Sequence, residues 1–195
     1  MKETFRFGLI LGGICFIATS VLSTVYVFTK TNIALQNQKA LQQGLKEVLN
    51  QANTFEPVYS NQQLLYYKGL DRNKRLVGVA FVTRERGYAG EIETLVGMTT
   101  DGSITAIKIL KQEETPGLGS RICEVRDDTT ILDFLKGKRI KNKPKPWFTE
   151  RFVNRKVSEL KDIQAISGAT VSSRAVIESV KRKSEEILKL LSNEK

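Results

Sequence analysis

From Phe7 to Thr29 the chain carries no charged side chain, and the run GLILGGICFIATSVLSTVYVF inside it is mostly apolar. Coiled as an α-helix, a stretch of this length spans roughly 30–35 Å, about the hydrocarbon thickness of a bilayer. It predicts one membrane crossing, an anchor over residues 1–30. The rival is a cleaved signal peptide, since Lys2 and Arg6 make a basic start and Ala18-Thr19-Ser20 supplies small residues. The apolar run exceeds the roughly 7–15 residues usual in such peptides, which favours a retained anchor. Lys2, Arg6 and the α-amino group precede the span while Lys30, Lys39 and Lys46 follow it, so local charge does not orient it. A long domain beyond the anchor can be translocated whatever its charge.

A chain of 195 residues has room for that anchor and one domain with a substantial core. Histidine is absent, which removes Ser-His-Asp and Cys-His catalysis, His-ligated haem and most zinc enzyme sites. The two cysteines, Cys15 in the span and Cys123 in the domain, are too few to hold an iron–sulfur cluster or a structural zinc. Each reads as a small apolar filler. The net charge of +10 suits a membrane surface or an acidic partner better than nucleic acid, given the anchor. Its densest part is residues 136–145, which Pro144 within it and Pro146 just after it break into an exposed loop, either a solvated face or a docking surface for lipid or a partner protein.

Residues 31–55 read as a helical connector, with Ile33, Leu35, Leu41, Leu45, Val48 and Leu49 near helical spacing and Gly44 weakening its continuity. Phe55-Glu56-Pro57 marks the expected boundary of a domain over residues 56–195. Strands are predicted over residues 64–67, 76–83, 92–99 and 104–110, with Asp101-Gly102 as a hairpin turn. A short helix over 127–136 and a longer one over 171–191 complete an α+β domain, an antiparallel sheet flanked by helices.

The string Ser167-Gly168-Ala169-Thr170-Val171-Ser172-Ser173 stands just before the last helix. A turn entering a helix offers unpaired N–H groups and the positive end of the helix dipole, which favour a phosphate. Gly168 can take backbone angles closed to other residues, Ala169 adds little bulk, and Thr170 presents a hydroxyl where a phosphoester could form. Ser172 and Ser173 could cap the helix. Taken alone, the string reads first as an ordinary capped helix start, and only the rest of the chain shifts the balance towards a phosphate site. In the loop Glu114-Thr115-Pro116-Gly117-Leu118-Gly119, Pro116 stiffens the turn. Gly117 and Gly119 would let backbone amides approach a planar ring. Thr115 could hydrogen-bond a ring edge, Leu118 could cover its face, and Tyr88 and Trp147 are candidate aromatic neighbours; taken alone, the loop reads as a rigid surface turn and the two aromatics as plain packing.

Arg86-Gly87-Tyr88-Ala89-Gly90, Glu113-Glu114-Thr115-Pro116-Gly117-Leu118-Gly119 and Ser167-Gly168-Ala169-Thr170 follow one another in that order behind one span. Together they resemble the FMN-binding domain family found in the G subunit of Rnf electron-transport complexes and the C subunit of sodium-pumping NADH:quinone oxidoreductase. The resemblance covers residues 56–190, and the chain's shortness favours the Rnf protein. It implies FMN held through a phosphoester to Thr170, with Ser167, Gly168, Ala169, Glu114, Thr115, Gly117, Leu118 and Gly119 around it. It further implies attachment by a flavin transferase using FAD and magnesium, a cytoplasmic N-terminus and an extracytoplasmic domain. Other membrane and peripheral subunits and membrane lipids would be its partners, with no nucleic acid and no resident metal. The family usually has aspartate three places before the motif's serine; here Gln164 stands there, with Asp162 two residues earlier.

The implied function is electron relay inside an ion-translocating ferredoxin:NAD oxidoreductase complex, with no substrate chemistry of the chain's own. The alternative is a membrane-tethered binding or structural module whose Ser-Gly-Ala-Thr turn is only a cap. A reductase with noncovalent FMN is a third reading.

Overall fold

The computed structural model describes residues 2–60, 62–125 and 146–193. Two compact units divide at residue 40. The first contains most of helix α1, Lys2–Val48, which is long and apolar enough to cross a membrane. Its side chains from Phe5 to Phe28 are exposed.

The second unit begins at Leu41, so the last turns of α1 belong to it. Its centre is a five-stranded antiparallel sheet in sequential order, β1 Thr54–Ser60, β2 Gln63–Leu70, β3 Leu76–Arg86, β4 Glu91–Met98 and β5 Ile104–Lys111. The four strands predicted from sequence are β2 to β5. The added strand, β1, contains Phe55, Glu56 and Pro57, the residues expected to mark a boundary. Pro57 is tolerated because β1 is an edge strand, where a missing N–H need break no ladder. The Asp101-Gly102 turn forms as predicted, with Gly102 at φ +86° and its N–H donating to the Thr99 carbonyl at 3.1 Å.

Because strand side chains alternate, the central strands feed two cores. On one face Val79 and Phe81 of β3 and Val96 and Met98 of β4 join Phe148, Phe152, Leu160, Val176 and Val180. Phe148 belongs to the short helix α2, Trp147–Glu150, and Leu160 to the 3₁₀ turn η2, Val157–Asp162. Val176 and Val180 lie on the terminal helix α3, Thr170–Asn193, whose apolar face follows the predicted spacing. Thr83 and Ser179 hydroxyls, 3.2 Å apart, tie β3 to α3 inside this core.

On the other face Ala80 and Leu95 pack against Leu45, Val48, Leu49 and Ala52. Glycines make this seat possible. A Cβ at Gly44 would lie 2.8 Å from Leu95 Cδ2, and one at Gly69 2.9 Å from Leu49 Cδ1. Thus Gly44 does not interrupt α1; its bare backbone lets the helix approach the sheet. The Thr105 hydroxyl donates to the Val48 carbonyl and satisfies one of the acceptors left open where α1 ends. The predicted helix over 127–136 and the basic segment 136–145 lie outside the described residues.

Candidate functional site

Three loops meet around one buried carboxylate. The first is the β3–β4 turn, closed by a 2.8 Å bond from Gly87 N–H to Gly90 O. The second follows β5 and runs through Glu113 to Gly119 into the 3₁₀ turn η1, Gly119–Cys123. The third is the Ser167-Gly168 turn that leads into α3, with Gly168 at φ +80°.

Glu114 is 5% exposed and joins all three. Its Oε1 accepts the Ala89 N–H at 3.2 Å and the Gly90 N–H at 3.5 Å. Its Oε2 accepts the Ser172 hydroxyl at 2.6 Å, and its own N–H donates to Gln112 Oε1 at 2.6 Å. All three donors to the carboxylate are neutral. Ser172 lies in the first turn of α3, so the carboxylate is held at the N-terminal end of that helix.

Two glycines make room for it. A Cβ on Gly87 would lie 2.7 Å from Ile92 Cδ1, with Glu114 Oε1 nearer still. A Cβ on Gly119 would lie 2.7 Å from Ser172 Oγ and 2.8 Å from Glu114 Cβ, with Oε2 nearer still. The space that Gly119 leaves is therefore filled by this protein's own carboxylate. Gly117 is different, since its φ is +77° and nothing lies within 4 Å of an added Cβ. It serves the tight turn, in which Gly117 N–H donates to Ser120 Oγ at 3.0 Å and Leu118 N–H to Thr115 O at 3.2 Å.

Thr170 is exposed as the first residue of α3, and its hydroxyl makes a long 3.4 Å bond to the Ile166 carbonyl. Ala169 beside it is buried, so the turn is pinned from below. Ser173, fully buried, accepts the Ile166 N–H at 3.0 Å and donates to Ala169 O at 2.8 Å. It braces the chain before the helix and leaves the first helical N–H groups to other partners. Arg121 adds a charge from η1: its Nη1 donates to the Ser167 carbonyl at 2.7 Å and lies 3.6 Å from the Cβ position of Gly168. Arg151 similarly donates to the Gln164 carbonyl at 2.8 Å while stacking 4.5 Å from the Trp147 ring centroid.

Exposed apolar side chains ring this arrangement. Tyr88 immediately precedes Ala89, Leu118 precedes Gly119, and Val171 precedes Ser172; all three are more than half exposed. Thr115 and Ser167 are exposed on the same loops, whereas Trp147 is half-buried against Phe148 and Arg151. Sequence reasoning singled out Glu114, Gly119 and Thr170 but missed the Ser172–Glu114 bond, the place of Gly87 and the position of Arg121. A serine within a helix start carries no mark of a partner 58 residues away.

Residues 87–185 match the FMN-binding domain family, and residues 1–48 match the RnfG N-terminal region. The chain is 32% identical over 178 residues to the G subunit of the ion-translocating oxidoreductase complex of Methanosarcina acetivorans, covering 84% of each chain. It is 33% identical over 174 residues to the G subunit of the proton-translocating ferredoxin:NAD(+) oxidoreductase complex of Clostridium ljungdahlii, covering 89% of this chain and 85% of that one. The chain belongs to the RnfG family. The matched FMN-binding region opens at Gly87 and takes in all three loops that meet at Glu114. The matched N-terminal region ends at Val48, the last residue of α1. The crystal structure of NqrC from Shewanella oneidensis aligns with a TM-score of 0.44 at 16% identity, covering 72% of this chain and 73% of that one.

Proposed function

We propose that this chain is the membrane-anchored flavoprotein subunit of an ion-translocating ferredoxin:NAD oxidoreductase complex, with FMN joined through a phosphoester to Thr170. The observation that carries the reading is the setting of Thr170: an exposed hydroxyl opening a long helix, after a left-handed glycine, within a region that matches the FMN-binding domain family. The surroundings suit such a group. The start of α3 and the Arg121 guanidinium offer positive charge to a phosphate. Tyr88, Leu118 and Val171 offer apolar surface to a planar ring, and the exposed Thr115 hydroxyl a polar contact at its edge. The family names on relatives, which specify ferredoxin:NAD(+) oxidoreductase complexes, support the same assignment.

In the attachment step the Thr170 oxygen takes the FMN phosphoryl group of FAD, AMP leaves with the bridging oxygen, and the hydroxyl proton is released. A flavin transferase with magnesium supplies the catalysis. Bound FMN supplies the electron transfer. The chain's own residues tether it, surround it with fixed charge and hold it at the membrane beside the other subunits. The domain lies outside the cytoplasm, where a tether keeps a flavin from being lost, and the N-terminus lies inside. A single span provides no ion pathway, so transport belongs to the partners.

Mass spectrometry of the tryptic peptide 162–174, from protein made in a membrane with the flavin transferase, tests this. The expected result is the mass of FMN less one water, localised to Thr170. An unmodified peptide with no flavin elsewhere would return the chain to a tethered binding module. Flavin released on denaturation would make it a noncovalent flavoprotein.

A further inference from the structure

Resting on that reading, we infer that Glu114 is the positioning residue of the flavin-acceptor site, assembling it before any flavin arrives. Both carboxylate oxygens are engaged by the protein, so Glu114 acts through the loops it joins and offers no free oxygen to the ring. Each arm of the brace ends one residue from an exposed apolar side chain: Ala89 beside Tyr88, and Ser172 beside Val171 and two residues from Thr170. On the third loop Gly119, beside Leu118, is packed against the carboxylate itself.

Apart from the Arg121 bond to the Ser167 carbonyl, which ties the second loop to the third, Glu114 supplies the links among these loops, and among the described residues it alone reaches the β3–β4 turn by hydrogen bonds. The β3–β4 turn closes on itself through Gly87 and Gly90, and the Leu118 turn closes on Thr115. Neither internal bond relates one loop to another. The carboxylate joins all three, and its own burial and that of Ser172 make the linkage stiff, because without Glu114 the Ser172 hydroxyl would face a dry interior without this acceptor. A preformed acceptor site spares the transferase the ordering of three loops at each encounter, the general route by which preorganisation accelerates a reaction.

Substitutions separate bracing from charge. Glutamine keeps the shape: its carbonyl can accept from Ala89 and Gly90 while its NH₂ donates to Ser172 Oγ, a hydroxyl able to accept as well as donate. Alanine removes the brace. In full-length protein in detergent, with the flavin transferase, FAD and magnesium, Glu114→Ala should lower the rate of Thr170 modification by roughly tenfold or more, as loss of a hydrogen bond to a charged group would. Glu114→Gln should recover most of the wild-type rate. Ser172→Ala, which removes one arm only, should give an intermediate rate and keeps the test available if Glu114→Ala does not fold.

Hydrogen–deuterium exchange on the same proteins, each also carrying Thr170→Val so that none bears flavin, reads the brace without cofactor. Residues 87–90, 115–121 and 168–173 should exchange faster together in Glu114→Ala and Ser172→Ala, while the β3–β4 ladder stays protected. Wild-type modification rates in both variants with unchanged exchange would overturn the role of Glu114 and leave the flavin reading standing. An unmodified wild-type Thr170 would overturn the flavin reading, and the exchange data would still decide whether the brace exists.

Discussion

Gly117 and Gly119 stand in one loop and are glycine for different reasons, so alanine should fail differently at each. At Gly119 the new methyl would lie 2.7 Å from Ser172 Oγ and 2.8 Å from Glu114 Cβ, both in buried residues that cannot swing into solvent. Relief requires parting Ser172 from the carboxylate, which costs about 1.5–3 kcal/mol for a hydrogen bond to a charged group. Overpacking adds about 1–3 kcal/mol. A total of about 4 kcal/mol is a large share of the ~5–15 kcal/mol that holds a typical domain folded. At Gly117 nothing lies within 4 Å, and only the left-handed backbone objects, by about 1–2 kcal/mol. Urea unfolding of the full chain in detergent, followed by the fluorescence of the single tryptophan, Trp147, reads both. With a slope of about 2 kcal/mol/M, Gly119→Ala should lower the midpoint by about 2 M and Gly117→Ala by about 0.5–1 M. Gly117→Asn should be milder still, since asparagine enters the left-handed region readily. Equal shifts at the two glycines would refute the view that Glu114 fills the space beside Gly119.

Thr170→Val should abolish covalent flavin and leave the unfolding midpoint nearly unchanged, because the side chain is exposed and gives up only a 3.4 Å hydrogen bond; intact-protein mass and the urea curve check the two halves. Gln164→Asp should raise flavin occupancy under limiting transferase, since the side chain is exposed and the carbonyl bound by Arg151 is kept; the bound-flavin absorbance per chain measures it. Burial pushes the Cys123 thiol up to about 11, so in a Cys15→Ser background maleimide should label it slowly at pH 8 and quickly once urea unfolds the domain. The sign for stability follows: the folded state keeps this proton where an unfolded thiol, ionising near 9, releases it, so the contribution present below pH 9 is lost as pH rises through 11.

Much of the framework is legible in sequence because it depends on near neighbours. The uncharged run to Thr29 makes α1, alternation and turn residues make β2 to β5, and the spacing of Val176, Ile177, Val180 and Ile187 makes the buried face of α3. Strand β1 is not legible, since Pro57 argues against a strand until β2 is known to pair with it along an edge. Nor is the role of Gly44, which reads as a weak point in a helix and acts as a bare surface against Leu95.

At the site the division is sharper. The hydroxyl of Thr170, the permissive backbone of Gly168 and the rigid turn at Pro116 are properties of short segments, and the sequence by itself determines them. What Glu114 does is a property of the fold. Its carboxylate reaches Ala89 from 25 residues away and Ser172 from 58, distances over which no local propensity acts. Only the antiparallel sheet, by bringing the β3–β4 turn, the loop after β5 and the start of α3 to one place, turns a glutamate in a loop into the buried acceptor that three separate chain segments share.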